Sequence, residues 1–124
     1  MKIETILAVG FGGFLGANLR LYLNGVVNNS VTLFSLPLGT LAVNLIGSFL
    51  IGFLFAYIQS YPFPIYLKTF LITGFLGALT TFSTFAYESL LLLEGGEFGY
   101  AFLNISLNIF GTILMAYLGT RLWQ

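Results

Sequence analysis

The chain has 124 residues, of which 58% are hydrophobic and only 6% are charged, whereas soluble domains carry about a quarter charged residues. Four basic residues balance four acidic ones, so no net charge is available to hold a nucleic acid. Cysteine and histidine are absent, which removes disulfides, the usual zinc ligands and the commonest catalytic nucleophiles and bases. The composition predicts an all-α membrane protein that is not an enzyme.

A membrane-spanning helix needs about 20 largely apolar residues, and stretches of that length recur four times along the chain. The first stretch covers residues 3–23. It contains Gly12 and Gly16 at the four-residue spacing of closely packed membrane helices, and Arg20 lies near its end. The polar residues from 24 to 30 predict a loop.

The second predicted span, residues 37–58, begins at a proline, which the first turn of a helix tolerates. The third, residues 66–93, combines Gly74 and Gly77 with a run of threonines and serines in an otherwise apolar segment. These residues weaken a helix, so we expect a break in the third span. The fourth, residues 98–122, has no charge until its last residues.

Polar side chains recur at helical spacing in two of these spans. A polar group that has no partner in hydrocarbon costs several kcal/mol, so such residues either pair between helices or line a path through the protein. Both interpretations remain open on spacing alone. The two stripes are Thr40, Asn44 and Ser48 in the second span, and Asn104, Asn108 and Thr112 in the fourth.

Two phenylalanines of the third span, Phe82 and Phe85, are three residues apart and lie on one helical face. Ser83 and Thr84 stand between them, and Glu88 follows one turn later. Because the edge of an aromatic ring is electropositive, two rings that present their edges could hold a small anion. Ordinary packing of the two rings is the alternative.

Hydrogen-bond donors dominate the polar groups of the spans, and Glu88 is the only carboxylate expected at depth. A cation path needs rings of carboxylates or carbonyls, and a proton-coupled transporter usually needs a titratable group inside the membrane. The polar groups therefore favour an anion path.

The whole chain resembles the Fluc (CrcB) fluoride channels. The resemblance rests on four stretches: GGFLGANLR (12–20), PLGTLAVNLIGSFLIG (37–52), TGFLGALTTFSTFAYE (73–88) and GYAFLNISLNIFG (99–111). The third stretch is the most specific, because its order of glycines, paired threonines and spaced phenylalanines is hard to meet by chance.

The resemblance implies an antiparallel, dual-topology homodimer in a bacterial or archaeal inner membrane, with two pores through which fluoride leaves the cytoplasm passively. It also implies a sodium ion at the dimer centre, held by the backbone carbonyls of Gly77 and Thr80. Arg20 would collect anions at the aqueous mouth. The implied pore residues are Asn44, Phe82, Phe85, Ser83, Thr84, Thr40, Asn108, Thr112, Asn104 and Glu88.

Two other functions fit parts of the sequence. Proton-coupled transporters of the small multidrug type are also four-helix, dual-topology dimers, but they need a carboxylate midway along the first helix. The only acid in that helix here is Glu4, at its very start. A subunit that assembles without transporting would explain the close-packing glycines, but it would explain neither the two polar stripes nor the phenylalanine pair.

Overall fold

The computed structural model describes all 124 residues, and all of its regular structure is helical. The α-helices are α1 (Ile3–Ser30), α2 (Leu38–Ser60), α3 (Ile65–Lys68), α4 (Gly77–Leu79), α5 (Phe82–Glu94) and α6 (Phe98–Trp123). A π-helical segment, Thr69–Leu76, joins α3 to α4. The stretch from α3 to α5 forms one span, Ile65–Glu94, so the chain has four helices long and apolar enough to cross a membrane, as predicted.

Large apolar side chains cover the outside of the molecule. Phe14, Leu21 and Phe102, for example, are 63%, 74% and 73% exposed. A soluble monomer rarely exposes such a continuous apolar surface. Together with the lengths of the four spans, this surface identifies the chain as a multi-pass membrane protein.

The first helix is longer than the sequence predicts. Its predicted end at residue 23 is wrong, because α1 continues to Ser30 through the residues predicted to form a loop. The polar side chains there find partners: Asn28 Nδ2 donates to Asn24 Oδ1 at 3.2 Å, and Asn28 Oδ1 accepts from the Gly39 N–H at 2.9 Å. Asn28 thus satisfies a backbone donor in the first turn of α2.

The π-helical segment packs directly on α1. An added Cβ on Gly16 would lie 2.1 Å from the carbonyl oxygen of Phe75, so only glycine allows this approach of the two backbones. Gly12 makes a similar contact with the same segment. The predicted close-packing role of these two glycines is confirmed, and their partner is the third span.

An aromatic cluster joins the C-terminal ends of α2 and α6. Trp123 meets Phe53, Tyr57 and Tyr61 with ring centroids 5.0 to 6.1 Å apart, all in edge-on arrangements. Its indole N–H donates to Ser60 Oγ at 3.2 Å. Rings in these arrangements attract one another, so the cluster ties the end of α6 to α2.

The small buried core lies beside the C-terminal end of α4. Val43 of α2 packs there with Leu76 and Leu79, and all three are at most 2% exposed. This core holds α2 against the third span just before Thr80 and Thr81, whose backbones are extended. We call these two threonines the extended pair.

Candidate functional site

The amide of Asn44 binds the backbone of the extended pair. Its Oδ1 accepts from the Thr81 N–H at 2.8 Å, and its Nδ2 donates to the Thr81 carbonyl at 3.1 Å. In an uninterrupted helix that N–H would donate to the carbonyl of Gly77. A side chain of α2 therefore replaces the helical partners of the third span.

A chain of buried hydrogen bonds continues from Asn44 into α6 and back to α5. Asn44 Nδ2 also donates to Asn108 Oδ1 at 2.9 Å, and Asn108 Nδ2 donates to the carbonyl and Oδ1 of Asn104 at 2.9 and 3.1 Å. Asn104 Nδ2 donates to Ser89 Oγ at 2.9 Å, and Ser89 donates to the Phe85 carbonyl at 2.8 Å. In an apolar surrounding such a satisfied network fixes its members tightly.

A cavity of about 410 Å³, lined in part by Asn44, lies between α2, the third span and α6. Both residues predicted to hold the sodium ion, Gly77 and Thr80, line it. Five of the predicted pore residues also line it: Asn44, Phe82, Phe85, Asn108 and Thr112.

The rings of Phe82 and Phe85 meet edge to face, with centroids 5.3 Å apart and planes at 69°. Phe85 is buried and only 6% exposed, whereas Phe82 is 76% exposed and projects from the surface of the chain. The two rings therefore stand at the boundary between the interior and the outer surface, next to the cavity.

The hydroxyl of Thr81 caps α5. Its Oγ1 accepts from the Thr84 N–H at 3.2 Å, lies 3.4 Å from Ser83 Oγ and donates to Thr84 Oγ1 at 3.1 Å. The N-terminus of a helix carries a partial positive charge, and that of α5 lies at the cavity. The cap brings Ser83 and Thr84 together with the extended pair.

Arg20 contacts the extended pair. Its guanidinium Nη1 donates to the Thr80 carbonyl at 3.3 Å from a partly buried position. The role of Arg20 at the aqueous mouth stays a prediction.

Thr40 and Glu88 form a second group, which does not line the cavity. Thr40 Oγ1 donates to Glu88 Oε1 at 2.8 Å, while Glu88 Oε2 is buried without a partner. A smaller cavity of about 300 Å³, bordered by Ser35 and Glu97, adjoins Glu88. Thr40 lies one helical turn from Asn44, and Glu88 lies one turn from Phe85. The pair of Thr40 and Glu88 therefore directly adjoins the residues that line the cavity.

Two residues of the site, Thr81 and Ser89, were not predicted as site residues. Thr81 supplies the backbone that Asn44 binds, and Ser89 ends the buried hydrogen-bond chain. A single serine among leucines has no periodic partner along α5, so only the neighbouring helix reveals its role.

The backbone oxygens beside the cavity fit a hard cation. The helical donor for the Gly77 carbonyl would be the Thr81 N–H, which Asn44 has taken. The Thr80 carbonyl accepts from Arg20 with one lone pair and retains a second. Carbonyl oxygens released from helical bonding are suitable ligands for such an ion.

Comparison with known proteins gives the family. The model of the CrcB-like protein, Camphor Resistance (CrcB) family matches residues 7–120. The chain belongs to the CrcB family. Its relatives include CrcB proteins that are named fluoride-specific ion channel FluC.

Three of these relatives show how far the similarity extends. The protein from Sulfurimonas denitrificans is 56% identical over 117 residues, which cover 94% of this chain and 90% of that protein. The one from Campylobacter fetus is 52% identical over 119 residues, covering 96% and 93%. The one from a Sulfurovum species is 50% identical over 125 residues, covering 100% and 97%. The similarity to the CrcB family thus includes every residue of the site.

Proposed function

We propose that this chain forms a passive, fluoride-selective channel that exports fluoride from the cytoplasm of a bacterial or archaeal cell through its inner membrane. Relatives that are at least half identical over nearly their full length carry the name of a fluoride-specific channel. The observation that carries the proposal is the cavity, where amides, hydroxyls and two phenylalanine rings meet inside an apolar protein. Polar groups at this depth are usually functional.

The anion would pass between α2, α5 and α6. The positive N-terminal end of α5 and the guanidinium of Arg20 would attract it, and the edges of Phe82 and Phe85 would contact it as it sheds water. From there the path would continue past Ser83 and Thr84 toward Thr40 and Glu88. The contact between Thr40 and Glu88 would lie across this path and would open for the ion to leave.

Two copies of the chain would form the channel as an antiparallel homodimer of dual topology, with two pores. A single chain leaves Phe82 76% exposed beside its cavity. A second copy would cover this ring and form one wall of the path. In an antiparallel pair, each copy contributes the same side chains to a different pore.

We propose that the interruption at the extended pair has a second role at the dimer centre. The carbonyls of Gly77 and Thr80 would hold a sodium ion there. The bound ion would supply a fixed positive charge between the two chains. Nothing in this arrangement requires ATP or a coupled ion.

Flux measurements on the purified protein in liposomes test the proposed function. Fluoride loaded inside the vesicles should leave rapidly once a potassium ionophore balances the charge, and chloride should stay. Proton flux driven by a cationic drug would instead indicate a transporter of the small multidrug type. No flux of any ion would leave only a structural role for the chain.

A further inference from the structure

One end of the bundle collects the start of two spans and the finish of the other two. Because successive spans run in opposite directions, α1 and the third span begin where α2 and α6 end. Two ring contacts agree with this arrangement. Phe11 of α1 stacks on Phe70 of the third span with centroids 6.2 Å apart, and Trp123 of α6 meets Tyr57 of α2 at 5.0 Å. We call this end of the bundle the terminal end.

The two ends of the bundle carry opposite charges. Three of the four cations lie at the terminal end, where Glu4 is the one carboxylate; these cations are Lys2, Lys68 and Arg121. The fourth cation, Arg20, contacts the Thr80 carbonyl within the bundle. The turn between α5 and α6, at the opposite end, carries Glu94 and Glu97 and no Lys or Arg. The terminal end is therefore positive and the opposite end negative.

The charges of Lys68 and Arg121 are free to meet an anion. Lys68 Nζ lies over the Phe55 ring, 5.9 Å from its centroid, and the Arg121 guanidinium lies over the Tyr117 ring at 5.1 Å. Arg121 also donates to the neutral Gln124 Oε1 at 3.3 Å, and neither cation pairs with a carboxylate. Long cationic side chains of membrane proteins place their stems along apolar surface and their charged heads among the lipid headgroups.

The aromatic cluster around Trp123 lies at the depth where a headgroup layer is expected. From Leu38 to Tyr57, α2 rises about 28 Å, which is close to the thickness of the hydrocarbon core. Tyr61, in contact with Trp123, is 50% exposed. Tyrosine and tryptophan favour this depth because the ring is apolar and its polar tip reaches water.

We propose that the terminal end binds the headgroups of anionic phospholipids. Lys68 and Arg121 would contact the negative charge, and the aromatic cluster around Trp123 would hold them at headgroup depth. An anionic membrane surface attracts each nearby Lys or Arg by a factor of about five in affinity. In the antiparallel pair proposed above, each leaflet would meet the terminal end of one copy. This binding does not depend on fluoride conduction.

The fluorescence of Trp123 reports which lipid lies beside the cluster, because the chain has no other tryptophan. The probes are phosphatidylglycerol and phosphatidylcholine with brominated acyl chains, which quench a nearby indole, each mixed at the same fraction into vesicles of unbrominated phosphatidylcholine. The anionic probe should quench as if it bound at least about fivefold more tightly than the neutral one. At about 1 M salt most of the difference should disappear, because the Debye length falls to about 3 Å.

Paired variants assign the preference to the two cations. Lys68→Gln combined with Arg121→Gln should make the two probes quench Trp123 equally. Lys68→Arg combined with Arg121→Lys keeps both charges and should keep the preference. Glu94→Gln combined with Glu97→Gln, at the opposite end of the bundle, is the matched control and should leave it unchanged.

The position of bromine along the acyl chain tests the depth of the cluster. Bromine near the headgroup should quench Trp123 more strongly than bromine near the end of the chain, and the reverse order would contradict the inference. Equal quenching by the two probes in the parent protein would overturn it as well, and so would a preference that survives the loss of both cations. Absence of fluoride flux from the same vesicles would overturn the proposed function and not the lipid binding.

Discussion

The guanidinium of Arg20 donates to the carbonyl oxygen of Thr80 at 3.3 Å, although the two residues are 60 positions apart. This contact connects the first span to the extended pair and places a permanent positive charge beside the cavity. An arginine stays charged at every physiological pH, so the charge acts as a fixed part of the site.

Replacing Arg20 by glutamine should therefore lower fluoride flux by about tenfold, because both the charge and a charge-assisted hydrogen bond are lost. Arg121→Gln is the control, since that guanidinium lies over the Tyr117 ring at the far end of α6. Flux from liposomes, normalised to the amount of protein, checks the prediction. Equal losses of fluoride flux in the two variants would mean that Arg20 acts only through its long-range positive charge and not through its contact with Thr80.

Removing the amide of Asn44 should release the extended pair. Asn44→Leu leaves the N–H and the carbonyl of Thr81 without partners in an apolar surrounding, at a cost of about 1–3 kcal/mol for each group. We expect a lower thermal midpoint in detergent and no measurable fluoride flux. Asn18→Leu is the control, because that exposed amide bonds only to the Phe14 carbonyl of its own helix. A stable, conducting Asn44→Leu protein would show that other contacts hold the extended pair in place.

The exposed ring of Phe82 should be needed for conduction and not for folding. Phe82→Ile keeps an apolar side chain but loses the electropositive ring edge, so fluoride flux should fall by at least about tenfold with little change in thermal stability. Phe102→Ile is matched to it, since the two rings are 76% and 73% exposed and only Phe82 lines the cavity. If both variants conduct normally, Phe82 only packs.

A single methyl group on α1 should disturb the packing of the third span. In Gly16→Ala the new Cβ would meet the Phe75 carbonyl at 2.1 Å, and backbone atoms cannot move aside cheaply. We expect a loss of about 1–3 kcal/mol in stability, as in other overpacked sites. Gly10→Ala is the control, because its Cβ would meet nothing within 4 Å. Thermal denaturation followed by circular dichroism distinguishes the two.

Sodium should stabilise the assembled protein if the carbonyls of Gly77 and Thr80 hold the ion. Replacing sodium by a large organic cation should then lower the thermal midpoint of the dimer, because a ligand stabilises only the state that binds it. Arg20→Gln should lower the sodium concentration needed, since a neighbouring positive charge competes for the same carbonyl. A midpoint that does not depend on sodium in either protein would exclude this site.

Composition and hydropathy were sufficient to predict the four spans, because a membrane demands the same length and apolarity of each helix. The prediction of a loop after residue 23 is wrong, because Asn28 bonds to Asn24 and to the Gly39 N–H within a continuous helix. Local preference favours a loop there, but a contact with α2 overrides it.

For the site, helical spacing predicted Asn44 and Asn108 in two separate polar stripes, and the structure joins these two side chains at 2.9 Å. Spacing cannot say which hydrogens a side chain has already given away. The hydrogen bonds of the Asn44 amide to Thr81 and Asn108 therefore depend on contacts between helices that no single helix contains.

The hydrogen-bond chain from Asn44 to Ser89 also has a consequence for how the protein is made. Helix α2 precedes the third span and α6 in the chain, so during synthesis the Asn44 amide would face lipid until Thr81 and Asn108 are in place. An unpaired amide in hydrocarbon is costly, and the early intermediate should therefore keep α2 shallow or near the translocation machinery. Insertion of α6 would then complete the hydrogen-bond network, and the four spans would reach their final positions in the membrane together in one late step.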